Sequence, residues 1–295
     1  MKPQFQHLSI TSLALWFDWF LINKGEAFSV KTASLQLQED DRLDPSYISY
    51  ASPFKQWVYD SGIENVQVPT SITDVSTGEE ITRGEDGMIF DFQNGRVLFP
   101  NLPINQNLDL EATFSVKDFN VYLTDQTEEE LIIENKYDVN SRFYSAEIPI
   151  EPYSEVIPAV FISLEESNNV PYAFGGEDET YLNFRSVVFS ENLYQLDGVL
   201  SIFRDSKLTG FPELEFHDHP LDEFGDIKDG ISEADPNGFE YSYPALAQSR
   251  KTGADFYIKD CSVSKLKESV SNNGIDNLFI GFVDFEVTKV RYPRA

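Results

Sequence analysis

The chain has 295 residues, and its 50 Asp and Glu against 22 Lys and Arg leave a formal charge of −28 at pH 7. That charge repels nucleic-acid phosphates and anionic lipid headgroups, because binding either requires cations that displace counterions; sequence-specific nucleic-acid binding and membrane attachment are not expected. Hydrophobic residues at 41% and aromatics at 14% provide ample material for a core and exclude wholesale disorder.

A single cysteine, Cys261, rules out an intrachain disulfide framework and fits a reducing compartment. The one long apolar run, 13–22, is interrupted by Asp18 and is too short to span a bilayer. It lacks a basic leader and a small-residue cleavage site, so it does not read as a signal peptide. Ile10, Leu13, Ala14, Phe17, Phe20 and Leu21 recur at helical spacing, with Ser9, Thr11 and Ser12 as N-cap choices and Gly25 as a left-handed C-cap. Trp16 and Trp19 fall off that face, so this first helix packs on more than one side or reaches an interface, core packing being the stronger reading.

Residues 28–37 alternate as a strand, 40–45 are a polar loop, and 53–60 read as either a proline-opened helical turn or an aromatic strand. Segment 61–87 has the composition of a long loop or of short exposed strands. In 88–99, Asn94-Gly95 between apolar runs predicts a β-hairpin with a type I′ turn. Segments 108–117 and 119–124 extend this sheet, and the Thr127–Glu130 capping box opens a short helix over 128–137.

The most legible stretch is 153–205. It reads as a buried strand (156–164), a turn at Gly175-Gly176, a second strand (182–189) and a helix with Leu193, Leu196, Val199, Leu200 and Phe203 on one face. Residues 206–243 are irregular and rich in Pro, Gly, Asp and His, as expected of an arm reaching over a partner. On that reading, deleting 214–235 spares folding and abolishes assembly. A helix over 263–270 and a final strand over 278–290 close the chain.

Together these elements predict an α+β fold in which two main helices flank a mixed sheet. Residues 1–61 and 150–295 form the core domain with its irregular arm (206–243), and 62–149 form a β-rich insertion that contains the hairpin. The last 46 residues hold eight basic against six acidic side chains, leaving the first 249 near −30, so an acidic body carries a mildly basic tail.

No catalytic, cofactor-binding or metal-binding residue is assigned. His217 and His219, with Asp222 and Glu223 nearby, have ligand-type side chains that an extended backbone would turn to one face. They lack further ligands at a zinc spacing, and a solvated acidic loop is the stronger reading. Asp222, Glu223, Asp226 and Asp229 resemble a calcium loop in composition and lack its ligand order. Cys261 stands between Asp260 and Ser262 with no histidine near it in sequence, which suits a structural thiol.

The phrases ITSLALWFDWFLINKGEAF, YASPFKQWVYDSGI, FDFQNGRVLFP, VKDFNVYLTDQTEEELIIENKY, VPYAFGGEDE and LDGVLSIFRD, which cover most of the chain, resemble virion structural proteins of large tailed, marine myovirus-like bacteriophages. Their element order is similar to that of tail-terminator and head–tail connector proteins. The resemblance implies a homo-oligomeric, ring-forming subunit of the neck or tail, assembled in the host cytoplasm with other phage proteins and carrying no enzymatic activity. The alternative is a baseplate or carbohydrate-binding virion module in which Trp57, Tyr59, Tyr241 and Tyr243 stack on sugars.

Overall fold

A computed structural model describes residues 4–84, 87–100, 108–139, 148–229, 231, 240–250, 255–267, 269–272 and 275–293. The first half of the chain runs α1 (Phe5–Gly25), β1 (Phe28–Gln38), β2 (Tyr47–Ala51), β3 (Ser71–Asp74), β4 (Glu79–Thr82), β5 (Ile89–Asp91), β6 (Arg96–Pro100), β7 (Leu110–Lys117), β8 (Asn120–Leu123), a π-helical turn (Glu130–Glu134) and β9 (Asp138–Val139). The second half runs β10 (Val156–Ile157), β11 (Ala159–Ala173), β12 (Glu177–Ser190), α2 (Leu193–Arg204), β13 (Gly210–Phe211), a 3-10 turn (Phe216–Asp218), α3 (Tyr243–Ser249), β14 (Phe256–Lys265), β15 (Val270–Asn272) and β16 (Ile275–Arg291).

Two seven-stranded sheets dominate. The first has the order β4-β3-β7-β1-β2-β6-β5 and the second β13-β14-β16-β12-β11-β8, with β15 also on β16. The fold is therefore mostly β, which corrects the expected α+β class with two main helices on one mixed sheet. The physical reason is that strands of three to five residues, such as β3, β4 and β5, carry too little alternation to announce themselves; pairing with distant partners makes them strands. β1 and β2, from segment 1–61, pair with β7 and β6 from segment 62–149, so the first sheet draws on both.

The second sheet is buried on both faces, and strand parity shows how. Val160, Ile162, Phe184, Val188, Val283, Phe285 and Val287 face the main core with α1 and α2, while Phe161, Val187, Phe189, Ile280 and Phe282 face a smaller core with Leu131 and Tyr137. α2 lies so close to the sheet that a Cβ on Gly281 would sit 2.8 Å from Leu196 Cδ1. Asn192 caps α2, its side chain accepting from Gln195 N at 2.9 Å.

α1 is buried on several sides, which accounts for its two off-face tryptophans: Trp16 stacks on Phe211 and Trp19 on Tyr243. The helix starts at Phe5, earlier than the capping hydroxyls suggested. Ser9, Thr11 and Ser12 instead bond back to the carbonyls of Gln6, His7 and Leu8. Gly25 remains helical and packs close to α2, where a Cβ would meet the Ile202 Cδ1 side-chain end at 2.8 Å; Glu26 takes the left-handed cap.

Three further expectations change. The hairpin exists as β5–β6, but its closing pair is Asp91↔Arg96, so four residues form the loop and Gly95 alone is known to take positive φ. Asp91 shapes this loop by accepting from Asn94 N at 3.0 Å. The helix expected over 263–270 is not formed among its described residues, where 263–265 end β14 and Val270 opens β15; a bulge between Ile258 and Asp260 switches the inward set from Phe256 and Ile258 to Cys261 and Val263, breaking the alternation in sequence. Residues 53–60 are neither helix nor strand beyond a single bridge from Trp57 to Val116.

Candidate functional site

The β11–β12 hairpin is much longer than its apolar runs, which cover only its base. Beyond Leu164 the pairing continues to Ala173↔Glu177, and β16 follows β12 as far as Asp178↔Arg291. The result is a three-stranded arm closed by Phe174-Gly175-Gly176, where both glycines adopt positive φ. The arm's inner face rests on the body: Thr180 and Leu182 are fully buried, Arg291 lies 3.7 Å from the Phe5 ring centroid, and Lys289 Nζ donates to Glu213 at 2.6 Å. Its outer face is different in kind. Register sets Tyr257, Thr288, Tyr181 and Asn168 in one row and Val290, Glu179 and Val170 in the next. Tyr257, Val290, Val170 and Tyr172 are exposed, and Phe174 at the tip stands wholly in solvent.

A second feature is a cleft of about 260 Å3 between α1, the 56–59 segment, β8 and the 219–221 turn, lined by Asp18, Lys117, Tyr59, Tyr122, Gln56 and His219 among others. Lys117 Nζ donates to Asp18 Oδ2 at 2.7 Å and lies 4.9 Å from the Tyr59 ring centroid. Burial first, then the Asp18 charge, holds the Tyr59 phenol protonated well above its usual range, and burial pushes the His219 imidazole down toward its neutral form. Gln56 occupies the left-handed region at φ 58, its carbonyl accepting from Lys117 N at 3.1 Å. The cleft thus presents its polar groups mostly paired or neutral, the exception being Asp18 Oδ1, which is buried without a hydrogen-bond partner among the described residues.

The residues singled out in the sequence do not converge. His217 is exposed beside Glu215, whereas His219 turns into the cleft wall and bonds at Leu221, because the 3-10 turn between them replaces the extended backbone that would have aligned the rings. Asp218 between them is buried and takes Arg250 at 2.8 and 2.9 Å. Asp222 Oδ1 accepts from Phe224 N and Asp226 N, and Asp226 pairs with Arg83, so these acids shape and anchor a turn. Among the described residues no group of three His, Cys, Asp or Glu side chains could hold a metal ion. Cys261 is buried, and burial pushes its thiol up to about 11.

The described residues of segment 206–243 do not form an arm reaching away from the body. Leu214, Leu221, Ile227 and Tyr241 are core residues, and Leu214 N donates to Ser12 Oγ of α1 at 2.9 Å. The aromatics proposed to stack on sugars are mostly core as well: Trp57, Tyr241 and Tyr243 are 0%, 3% and 3% exposed, leaving no ring face for a glycan. Several basic side chains of the C-terminal region serve internal pairs, Arg250 with Asp218, Lys259 with Glu286, Lys265 with Asp197 and Lys289 with Glu213.

The arm was missed in the sequence because its tip, VPYAFGG, reads locally as a turn. The aromatic spacing Tyr172, Phe174 beside a Gly-Gly pair was the one available signal. No protein-family model matches the chain, and none of the curated proteins matches its sequence. Among the described residues no helix is long and apolar enough to cross a membrane.

Proposed function

We propose that the chain is a structural subunit of a tailed-phage particle, a ring-forming component of the head–tail interface such as a neck or tail-terminator protein, that works by assembly and without catalysis. Its place on this reading is the virion, assembled in the host cytoplasm. The observation that carries the proposal is the three-stranded arm: a stiff extension fixed to the body by buried Thr180, Leu182 and Lys289, with exposed Val170, Tyr172 and Phe174 on its outer side and tip. A stoichiometric assembly subunit needs a rigid plate and a projecting contact surface, and exposed apolar side chains gathered on one element mark such surfaces. The acidic charge suits a conduit, since it lets DNA pass without sticking.

The test is the oligomeric state of the full chain by size-exclusion chromatography with light scattering and native mass spectrometry, together with its presence in purified virions. A closed ring of defined copy number is expected. A strictly monomeric protein missing from virions overturns the proposal.

A further inference from the structure

The outer face of the arm combines two properties that together specify a partner. Its apolar members, Val170, Tyr172, Phe174, Val290 and Tyr292, are exposed and stand on neighbouring strands or at the tip. Around them stand four carboxylates held only by neutral donors: Glu165 by Ser163 Oγ at 2.8 Å, Glu166 by Asn183 Nδ2 at 3.4 Å, Glu179 by Tyr181 Oη at 2.8 Å and Glu177 by the Tyr292 hydroxyl. None of the four forms an ion pair among the described residues, whereas Lys259, Lys289 and Arg185 nearby are each already paired with acids. The arm therefore offers uncompensated negative charge around an apolar centre.

We infer that this face docks a basic protein surface that presents apolar side chains between its Lys or Arg residues, supplied by a different protein and not by a second copy of this chain. The inference rests on the assembly reading in taking the arm as a contact surface. At this face a second copy is disfavoured, since its acidic body would meet these carboxylates and its Lys259, Lys265 and Lys289 are already paired internally; a ring closes through other surfaces. Pairing of a partner strand along the outer edge of β11, which beyond Ile162 has no neighbour strand among the described residues, is disfavoured too. Beyond Ile162, where β8 stops, that edge carries bulges at Leu164/Glu166 and Pro171/Ala173, and Pro171 has no N–H to donate. What remains is side-chain contact with the face and tip, steered by charge and held by apolar burial.

The experiment uses the full chain and two synthetic peptides of equal length and charge as probes, one alternating Lys with Leu and Trp, the other alternating Lys with Ser, with affinity read by fluorescence anisotropy at several salt concentrations. The Lys/Leu/Trp peptide is expected to bind about tenfold more tightly than the Lys/Ser peptide. The triple change Val170→Ser, Tyr172→Ser, Phe174→Ser is expected to remove that preference, and Glu165→Gln, Glu166→Gln, Glu177→Gln, Glu179→Gln to weaken both peptides and flatten the salt dependence. All seven side chains are exposed or half-buried, and thermal melts check that each variant folds. Equal binding of the two peptides, or a preference that survives the triple change, overturns the inference. Self-association of the wild type that the triple change abolishes also overturns it, by giving the face to a second copy. A monomer that keeps the peptide preference would sink the ring and leave this docking site standing; a ring without the preference would do the reverse.

Discussion

Lys117 of β7 and Asp18 of α1 meet at 2.7 Å, almost wholly buried, and tie the central helix to the first sheet. Removing one partner strands the other as a buried charge, which costs about 3–5 kcal/mol. Lys117→Met should therefore destabilise strongly in urea denaturation, while Asp18→Asn combined with Lys117→Met should regain most of the loss. A single mutant as stable as the wild type would show that the pair contributes little.

Arg96 performs a similar task at the other end of the first sheet. Its Nε donates to Asp91 at 2.8 Å, Nη1 to Asp40 at 2.7 Å and Nη2 to the Tyr153 hydroxyl at 3.3 Å, joining the β1–β2 loop, the β5–β6 hairpin and the segment before β10. Lysine keeps the charge but has no planar fork to reach all three. Arg96→Lys is expected to cost about 2–3 kcal/mol and to speed proteolysis of the 40–46 loop. Unchanged stability and cleavage would place the clamp elsewhere.

What the sequence made legible was local. α2 followed from its three-and-four spacing, and the cores of β12 and β16 followed from runs such as Val187-Val188-Phe189. The first sheet was legible only in pieces: 28–37, the hairpin and 108–117 read as strands, but 119–124 joins the second sheet as β8, β1 is made a central strand only by β7 and β2, and β3 and β4 have only four residues each. A bulge after Ile258 concealed β14 by shifting its inward set. The outer face of the arm depends on three strands coming into register, so Val170 and Val290 read as unrelated residues until β12 brings them to the same row through Glu179.

Gly281 gives a graded test of how tightly α2 is seated. A Cβ there would meet Leu196 Cδ1 at 2.8 Å and Leu200 Cδ1 at 3.1 Å, both flexible side-chain ends. Gly281→Ala should be accommodated for less than about 1.5 kcal/mol, whereas Gly281→Leu should overpack the site and cost about 1–3 kcal/mol. Equal melting temperatures for the two variants would show that α2 moves freely away from the sheet.

Deleting 214–235 is expected to abolish folding. The segment contributes Leu214, Leu221 and Ile227 to the main core, and Asp226 and Asp218 hold Arg83 and Arg250. Leu221→Ala and Ile227→Ala should each cost about 2–5 kcal/mol by the same reasoning. A deletion variant that keeps a cooperative thermal transition would show the segment to be dispensable.

Asp60 sets a pH dependence whose sign can be worked out. It is 4% exposed, and burial above all pushes its carboxyl up to about 6, although Tyr243 N and Gly62 N both donate to it. The folded state therefore binds this proton more readily than the unfolded chain, whose value is the ordinary 3.8. The stabilisation is complete below 3.8 and is lost as pH rises through 6. Other carboxylates in the chain run the opposite way, Asp44 and Glu130 being held low by hydrogen bonds from Ser46 and Thr127, so the total profile hides the effect. Comparison with Asp60→Asn removes that background, because the amide is neutral throughout and its cost, from turning one acceptor into a donor against a backbone N–H, does not vary with pH. Wild type should gain on the order of 1–2 kcal/mol relative to Asp60→Asn when pH falls from about 7 to about 4.5, read from urea midpoints at the two values. A gap that stays constant would mean that Asp60 ionises in the fold as it does in the unfolded chain, and that the two backbone donors fully offset its burial.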